Sequence, residues 1–413
     1  MTEASKLLGL SERQIIRLRK GVQKNGRDAV KHGNTGIIPA TTTTPEQINR
    51  IIELYKEKYY NANFQHFKEM LEENENIIKS VSTIRRILLA NGIKSPKTKR
   101  KPKKHIRRKR REHEGALVQM DATPHDFFGT GAKCCLHGAV DDATGKIVGL
   151  YMTKNECLEG YFNVFEQMIG NFGIPASIYA DRHTIFSSQT AGKLSIEDEL
   201  AGKQANDTQL GRAVRELGIT LIKARSPQAK GRIERLWGTL QDRLTIEFRI
   251  NGISDLETAN EFLLPYILRY NQRFAVEAVD VHSLFAANTF DLIDILCVRE
   301  KRKLDSGGSF SFYGQQFVVE GGIQQGVSIE VIAHHKFGIF AFYQGSRYGI
   351  FPIDKPKQRK RPVSVSSVRT LHPMPVCSKY RDYNKNTYIH YSSEYTDSEI
   401  LAILDCIFSN EFY

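Results

Sequence analysis

Between Lys94 and Arg111 the chain carries twelve lysines and arginines and no acid. So many like charges cannot share a core, and Pro96 and Pro102 interrupt any helix through them. The stretch therefore reads as an extended, solvated connector that divides the chain into separate folding bodies. It also holds nearly all of the charge imbalance. The 413 residues include Lys+Arg 59 against Asp+Glu 46, a net charge of +13, and without the arm 47 cations face 46 acids. A soluble tether would explain such a run. So would an arm that tracks a polyanion, most simply the phosphates of nucleic acid.

The remaining composition excludes more than it selects. Apolar residues at 40% and charged residues at 25% rule out a disordered, collagenous or disulfide-scaffold chain. At about 150 residues per domain, the length predicts about three domains. No apolar run approaches the ~20 residues that cross a bilayer, so no membrane partner is expected. The opening MTEASKLLGLSERQ lacks the basic and apolar regions of a signal peptide. Six cysteines without a CxxC pair suit a reducing cytoplasm.

Ahead of the arm the pattern is helical. EASKLL, Gly9 and the Ser11 that opens SERQIIRLRK predict a helix, a tight turn and an N-capped second helix. Leu7, Leu8, Ile15, Ile16 and Leu18 supply an inner side. Arg13, Gln14, Arg17 and Lys20 face outward, and Arg and Gln are the types that read guanine and adenine edges. An ordinary helical hairpin shares this pattern. The block 43–93 repeats the theme with helices from Pro45, over Phe64–Glu72 and over Ser80–Leu89, the last leaving Arg85 and Arg86 available. Two such units, 1–42 and 43–93, followed by a basic linker, 94–115, with Arg107 and Arg108 in it, point to DNA. A helix-turn-helix unit normally has a helix ahead of it to cover its apolar side. Leu7, Leu8 and Ile15 are therefore expected to be unusually exposed, and the reading frame to extend upstream with another amphipathic helix.

After Gly115 the pattern changes to alternating strands and helices. ALVQMDAT is a short apolar run ending in Asp121, and KCCLHGAVDD with GKIVGLYM forms a hairpin around 143–145. A helix over 158–172 leads to ASIYAD, a strand ending in Asp181. A further helix and strand bring the chain to Ser226-Pro227, which open a long helix. The order predicts a mixed α/β sheet flanked by helices over 116–250. On the long helix Ile233, Leu236, Trp237, Leu240 and Leu244 form the packing stripe. Glu234 stands just off it, with Lys230, Gly231, Trp237 and Gly238 as its neighbours at three and four residues. The two glycines need a reason inside a helix, and close approach by another backbone is one. A lysine and two missing side chains beside a carboxylate make a surface on which a phosphodiester can lie.

Asp121, Asp181 and Glu234, drawn into one cleft, would repel each other unless cations sat between them. Hard oxygen donors without a Cys or His set select Mg²⁺ or Mn²⁺, and two such ions suit an in-line phosphoryl displacement. Asp126 and His183 are candidate outer partners of these acids. Asp141 and Asp142 fall where a hairpin turn would put them. His334-His335 and Cys134-Cys135 lack partners at metal spacing and read as structural.

The motifs DATPHDFF (121–128), ADRHTIF (180–186) and SPQAKGRIERLWGTLQDRL (226–244) closely resemble the DDE transposases of bacterial insertion sequences, specifically the ISNCY group with its integrase-type catalytic core. The resemblance covers roughly residues 1–355, and the third motif is the most specific. It implies an RNase H-like fold and the catalytic, metal-binding triad Asp121, Asp181 and Glu234 with two metal ions. It also implies helix-turn-helix domains that bind transposon ends, and cleavage and strand transfer on double-stranded DNA by a homo-oligomer. The spacing from Asp181 to Glu234, 53 positions, contains an apparent insertion at 187–207.

Beyond the core, 251–300 reads as a helical connector. Over 301–355, short strands separated by glycine turns predict a small β-barrel, which in the resembling family helps to bind DNA or assemble the complex. The tail, 356–413, ends in SEILAILDCIF, a short helix expected to dock on a partner. A recombinase is the leading reading; a binding-only protein would need no triad, and an RNase H-like nuclease would not need two DNA-reading units.

Overall fold

The computed structural model describes residues 2–30, 42–97, 108–180, 208–223, 230–321, 323, 326–353 and 398–408. They fall into two compact units, one of residues 1–60 and 64–95 and the other of 61–63 and 96–413.

The first unit is helical: α1 (Thr2–Leu8), α2 (Glu12–Asn25), α3 (Pro45–Glu57), α4 (Phe64–Glu75) and α5 (Val81–Ala90). Side-chain oxygens start three of them. Ser11, Thr44 and Ser80 accept from the amides of Gln14, Gln47 and Thr83, each satisfying a donor that the first turn leaves unpaired. Ile51 on α3, Phe67 and Leu71 on α4, and Ile84 and Leu88 on α5 are buried, and α3 and α4 both pack on α5. Leu7 and Leu8 are 85% and 63% exposed, as expected, but Ile15 is only 8% exposed. It is covered because α1 and the turn 26–30 both pack on α2.

The second unit is built on a sheet in the order β3-β2-β1-β4-β5, from β1 (Val118–His125), β2 (Cys134–Asp141), β3 (Ile147–Thr153), β4 (Ser177–Ala180) and β5 (Thr220–Lys223). The first three strands are antiparallel, and β1, β4 and β5 run parallel. This is the mixed α/β sheet expected of an integrase-like core. Its faces are covered by α6 (Leu158–Asn171), α7 (Gln209–Glu216), α8 (Gly231–Asn251) and α9 (Leu256–Phe274). On one face Val148, Ile178 and Val118 pack with Phe162, Phe165 and Val214. On the other, Leu136, Val140 and Leu150 pack with Ile233, Leu236, Trp237 and Leu240. Burial on both sides explains why β2 and β3 read as near-continuous apolar runs.

Two sequence boundaries move. β1 continues to His125, so Asp121 stands within the strand rather than at its end. The described pairing with β4 involves only Val118 and Gln119, which leaves the later edge of β1 able to carry Pro124 without losing a ladder bond. The long helix begins at Gly231 with Lys230 at its N-cap; Ser226 and Pro227 lie outside the described residues.

The expected helical connector is helical only through α9. From 275 the chain runs extended beside the core, where Ala286 exchanges backbone hydrogen bonds of 2.8 Å with Ile174 in both directions, and one helical turn follows at Leu292–Ile295. The expected small β-barrel is not formed. β6 (Val298–Lys303), β9 (Ser328–His334), β10 (Gly338–Tyr343) and β11 (Ser346–Tyr348) make one antiparallel sheet; β7 (Ser309–Phe312), β8 (Gln315–Val319) and β12 (Ile350–Ile353) make another. The turn at Asp305, which accepts from the amides of Gly307 and Ser309, sends β7 away from β6 to pair with β8. Among the described residues no pairing joins the two sheets.

The tail helix, α10 (Ser398–Phe408), packs on described residues of its own chain. Its Ile403, Leu404, Ile407 and Phe408 are buried, with Phe408 against Phe162 and His335. Among the described residues no helix is long and apolar enough to cross a membrane.

Candidate active site on β1 and α8

Gln119, Asp121 and Thr123 alternate along β1, so their side chains share one face of the strand. Each is joined to α8. The Gln119 side-chain oxygen accepts from the Ile233 amide at 3.3 Å, and Thr123 Oγ1 accepts from Gln241 Nε2 at 2.8 Å. Between them Asp121 holds two partners. Lys230 Nζ lies 3.0 Å from Oδ1, and the Trp237 indole donates to Oδ2 at 3.2 Å.

These contacts locate Glu234. It follows Lys230 by four residues and precedes Trp237 by three, the two spacings that put helix side chains on one face. Both of those neighbours reach Asp121, so the exposed carboxylate of Glu234 is bracketed on the side of α8 turned toward β1. Asp181 and His183 lie outside the described residues, as does Arg107.

Small residues make room for the arrangement. Gly138 stands opposite Asp121 in the β1–β2 register, and a Cβ there would come within 2.7 Å of the Trp237 ring and 2.8 Å of Leu150. The glycines of α8 have a different environment from the one expected. A Cβ at Gly238 would meet nothing within 4 Å, and one at Gly231 would meet only the end of Arg235 at 4.0 Å. Among the described residues no backbone approaches either glycine that closely.

Other sequence candidates separate by their partners. Lys230 is buried and paired with Asp121, so its charge serves the carboxylate rather than an open surface. Arg13, Arg17 and Lys20 on α2, and Arg85 and Arg86 on α5, are exposed. Gln14 is engaged in a capping box, its side-chain oxygen accepting from the Ser11 amide at 3.0 Å. Asp126 accepts from the amides of Thr130 and Gly131 at 3.1 and 2.8 Å. Those amides hold its carboxyl below the usual range and make it a loop-closing residue rather than an outer partner of Asp121.

Asp141 has the turn role expected of it, accepting from the Thr144 amide and hydroxyl at 2.8 and 2.7 Å; burial raises its pKa. Asp142 does not fit the turn reading. It is fully buried and ion-paired to Arg108 and to Arg232, the latter at 2.6 Å. Arg108 is thus tied to the core rather than left free on the arm. Sequence periodicity could not reveal this, because the partners lie 34 and 90 residues away.

The His334-His335 pair gains a partner the sequence did not show. Both Nε2 atoms face Glu166 Oε1 on α6, at 3.8 and 3.5 Å, while Lys336 holds its other oxygen. The Lys336 amide donates to His334 Nδ1 at 3.1 Å, which leaves the His334 proton on Nε2, facing the carboxylate. That tautomer turns the His334 Nε2–H toward the carboxylate, and Glu166, His334 and His335 bring one oxygen or nitrogen each within 4.8 Å of one another at the junction of α6 and β9. Cys134 and Cys135 are buried in β2 and burial raises both thiols, as inert structural cysteines require.

The donor set fits the expected metal. Asp121 already accepts a cationic partner, Glu234 is an exposed carboxylate on α8 between the two residues that contact Asp121, and hard oxygen donors of this kind take Mg²⁺ or Mn²⁺ rather than a thiolate- or imidazole-selecting ion.

Comparison with known proteins gives the family. The chain is 36% identical over 374 residues to the transposase for insertion sequence IS1202 of Streptococcus pneumoniae, an alignment covering 83% of this chain and 78% of that protein. A Sinorhizobium fredii protein provisionally named transposase y4bF is 32% identical over 324 residues, covering 78% of this chain and 69% of its own length. The chain therefore belongs to the transposases of insertion sequences. No family model matches it. Among solved structures, the HTLV-2 integrase catalytic core domain in complex with magnesium aligns at 20% identity with a TM-score of 0.28, over 40% of this chain and 92% of that one. The superposition is too loose to define a fold by itself.

Proposed function

We propose that this chain is a DDE transposase that binds the ends of its insertion sequence and carries out metal-dependent DNA strand cleavage and strand transfer. Asp121, Asp181 and Glu234 are its metal-binding triad. The observation that carries this reading is the bracketing of Glu234 between Lys230 and Trp237, both of which contact Asp121. Asp181 is assigned from sequence. It follows Ala180, the last residue of β4, and stands as far beyond Tyr179 as Asp121 stands beyond Gln119, the residue paired with Tyr179.

The triad would hold two Mg²⁺ or Mn²⁺ ions, whose chemistry here is activation of the attacking hydroxyl and stabilisation of the leaving oxygen. The protein's own groups do the rest. Trp237 fixes the rotamer of Asp121, and Lys230 keeps that carboxylate paired. The missing side chains at Gly231 and Gly238 leave room for a phosphodiester beside Glu234 among the described residues. End recognition falls to the exposed Arg13, Arg17 and Lys20 and to Arg85 and Arg86. The arm, including Arg107, adds sequence-independent affinity for phosphates. The homo-oligomer and the role of 298–353 in assembling it on DNA belong to the same proposal.

The test is a cleavage assay on a duplex carrying the inverted repeat that flanks the gene, with an RNA–DNA hybrid of the same sequence in parallel. Metal-dependent cutting at the repeat terminus supports the reading. Binding without cutting, or preference for the hybrid, refutes it.

A further inference from the structure

Asp142 is 0% exposed, although it sits in a hairpin turn where an aspartate is ordinarily solvated. Four donors converge on it: Arg108, Arg232 Nε at 2.6 Å, Gln119 Nε2 at 2.8 Å and the Arg111 amide at 3.0 Å. They come from three places, the described end of the basic arm, the first turn of α8, and β1 two residues before Asp121. The turn itself needs none of them, since Asp141 closes it through Thr144.

The start of α8 shows why such an anchor matters. Its N-cap, Lys230, makes no side-chain cap hydrogen bond, so the first turn is not held by the usual local device. It is held from outside, by the Ile233 amide on Gln119 and by Arg232 on Asp142. Glu234 is the next residue after Ile233. Two guanidiniums against one carboxylate also leave positive charge in excess where the arm meets α8. Arg110, bonded to the Ala143 carbonyl at 2.9 Å, adds a third, and burial together with the charge of Arg232 lowers its pKa. Guanidiniums held in fixed positions are the groups that grip a backbone phosphate with defined geometry.

We propose that Asp142 is a positioning residue for strand cleavage: it locks the end of the basic arm to the first turn of the catalytic helix, so that DNA engaged by the arm and the carboxylates of Asp121 and Glu234 keep one geometry. The proposal rests on the catalytic reading above. It assigns Arg108 to this lock rather than to an independent phosphate contact.

The experiment uses the full chain and the flanking-repeat duplex, with Asp142→Asn, Arg108→Gln, the double variant and Asp121→Asn compared per folded molecule. A misplacement of about 1 Å at a reacting site can cost on the order of 100-fold, so Asp142→Asn should lower the cleavage rate by roughly 10–100-fold and raise the half-saturating Mg²⁺ concentration, with end affinity within about two-fold of wild type. Arg108 is half-exposed, so Arg108→Gln folds even if Asp142→Asn does not, and it should reproduce part of the loss. The double variant should be no worse than Asp142→Asn alone, because both act through one contact. A merely structural Asp142 would lower the melting temperature but leave the rate and Mg²⁺ half-saturation per folded molecule unchanged. An Arg108→Gln that loses end affinity while keeping the wild-type cleavage rate on bound DNA would equally overturn the proposal. If Asp121→Asn cleaves normally, the catalytic reading itself has failed. If Asp121→Asn is inactive and Asp142→Asn cleaves like wild type, only the positioning role has failed.

Discussion

Trp237 donates its indole N–H to Asp121 across 3.2 Å, which makes one residue both a part of the apolar stripe of α8 and the orienting partner of the first acid. The ring lies over Gly138, directly across the sheet from Asp121. Packing and polarity are thus set by one side chain, and they can be separated by substitution.

Trp237→Phe keeps most of the packing and removes the donor. Cleavage should fall by roughly 10-fold, the usual scale for a lost group that orients a metal-binding residue, while the melting temperature shifts only slightly. Gly138→Ala should do the reverse. Its Cβ overlaps the ring and Leu150, an overpacking that costs about 1–3 kcal/mol, measurable by denaturant unfolding. Equal loss of activity and stability in both variants would show that the hydrogen bond has no separate role.

Lys230 gives a prediction about metal. Its ammonium competes with any ion for the negative charge of Asp121, at 3.0 Å. Lys230→Gln should therefore tighten Mn²⁺ binding by the protein alone in calorimetric titration. If metal affinity is unchanged and only DNA affinity falls, Lys230 is a phosphate contact instead.

Buried histidines contribute to the response to acid. Burial pushes His137 down to about 3, and the same cause brings His334 to about 3. In the folded chain these rings stay neutral at a pH where the unfolded chain, with an ordinary value near 6.5, binds protons. The unfolded state is then favoured as pH falls from about 6.5 toward 3, with no contribution above that range. Each histidine adds a slope of up to about 1.4 kcal/mol per pH unit. His137→Gln should lower the steepness of stability against pH between 6 and 4 by about one proton. An unchanged slope would place the acid sensitivity elsewhere.

On α2 the two outward residue types should separate. Gln14→Ala breaks the capping box with Ser11 and should cost about 0.5–1.5 kcal/mol, the net worth of a lost hydrogen bond, with end preference retained once the protein is folded. Arg17→Ala should leave stability alone and weaken discrimination between the cognate repeat and unrelated duplex. Competition binding at fixed salt distinguishes these outcomes, and a Gln14→Ala that loses discrimination without losing stability would restore Gln14 to the reading surface.

What was legible in the sequence followed from local period and local chemistry. The stripe of Ile233, Leu236, Trp237, Leu240 and Leu244 packs where helical spacing puts it, and the succession of strands and helices around Asp121 follows from short apolar runs split by turns. The three- and four-residue neighbours of Glu234 were readable because helix geometry fixes them. The Asp142 anchor was not, because its charge partners are remote in sequence and an aspartate in a turn has an ordinary local explanation. Nor was the Glu166 contact with His334 and His335, which joins α6 to a strand of the C-terminal sheet. The barrel expectation failed at one turn. Strand periodicity gives the faces of β6 and β7 but not which neighbour each will pair with, and the Asp305 turn decides that.

The most direct measurement compares Asp121→Asn, Asp181→Asn and Glu234→Gln with the wild-type chain on the flanking-repeat duplex in Mg²⁺ and in Mn²⁺. Each substitution keeps the shape of its side chain and removes a carboxylate charge. All three should abolish end cleavage and strand transfer while end binding persists at wild-type affinity, because binding is assigned to the N-terminal helices and the arm. Full cleavage by any one of the three would contradict the triad.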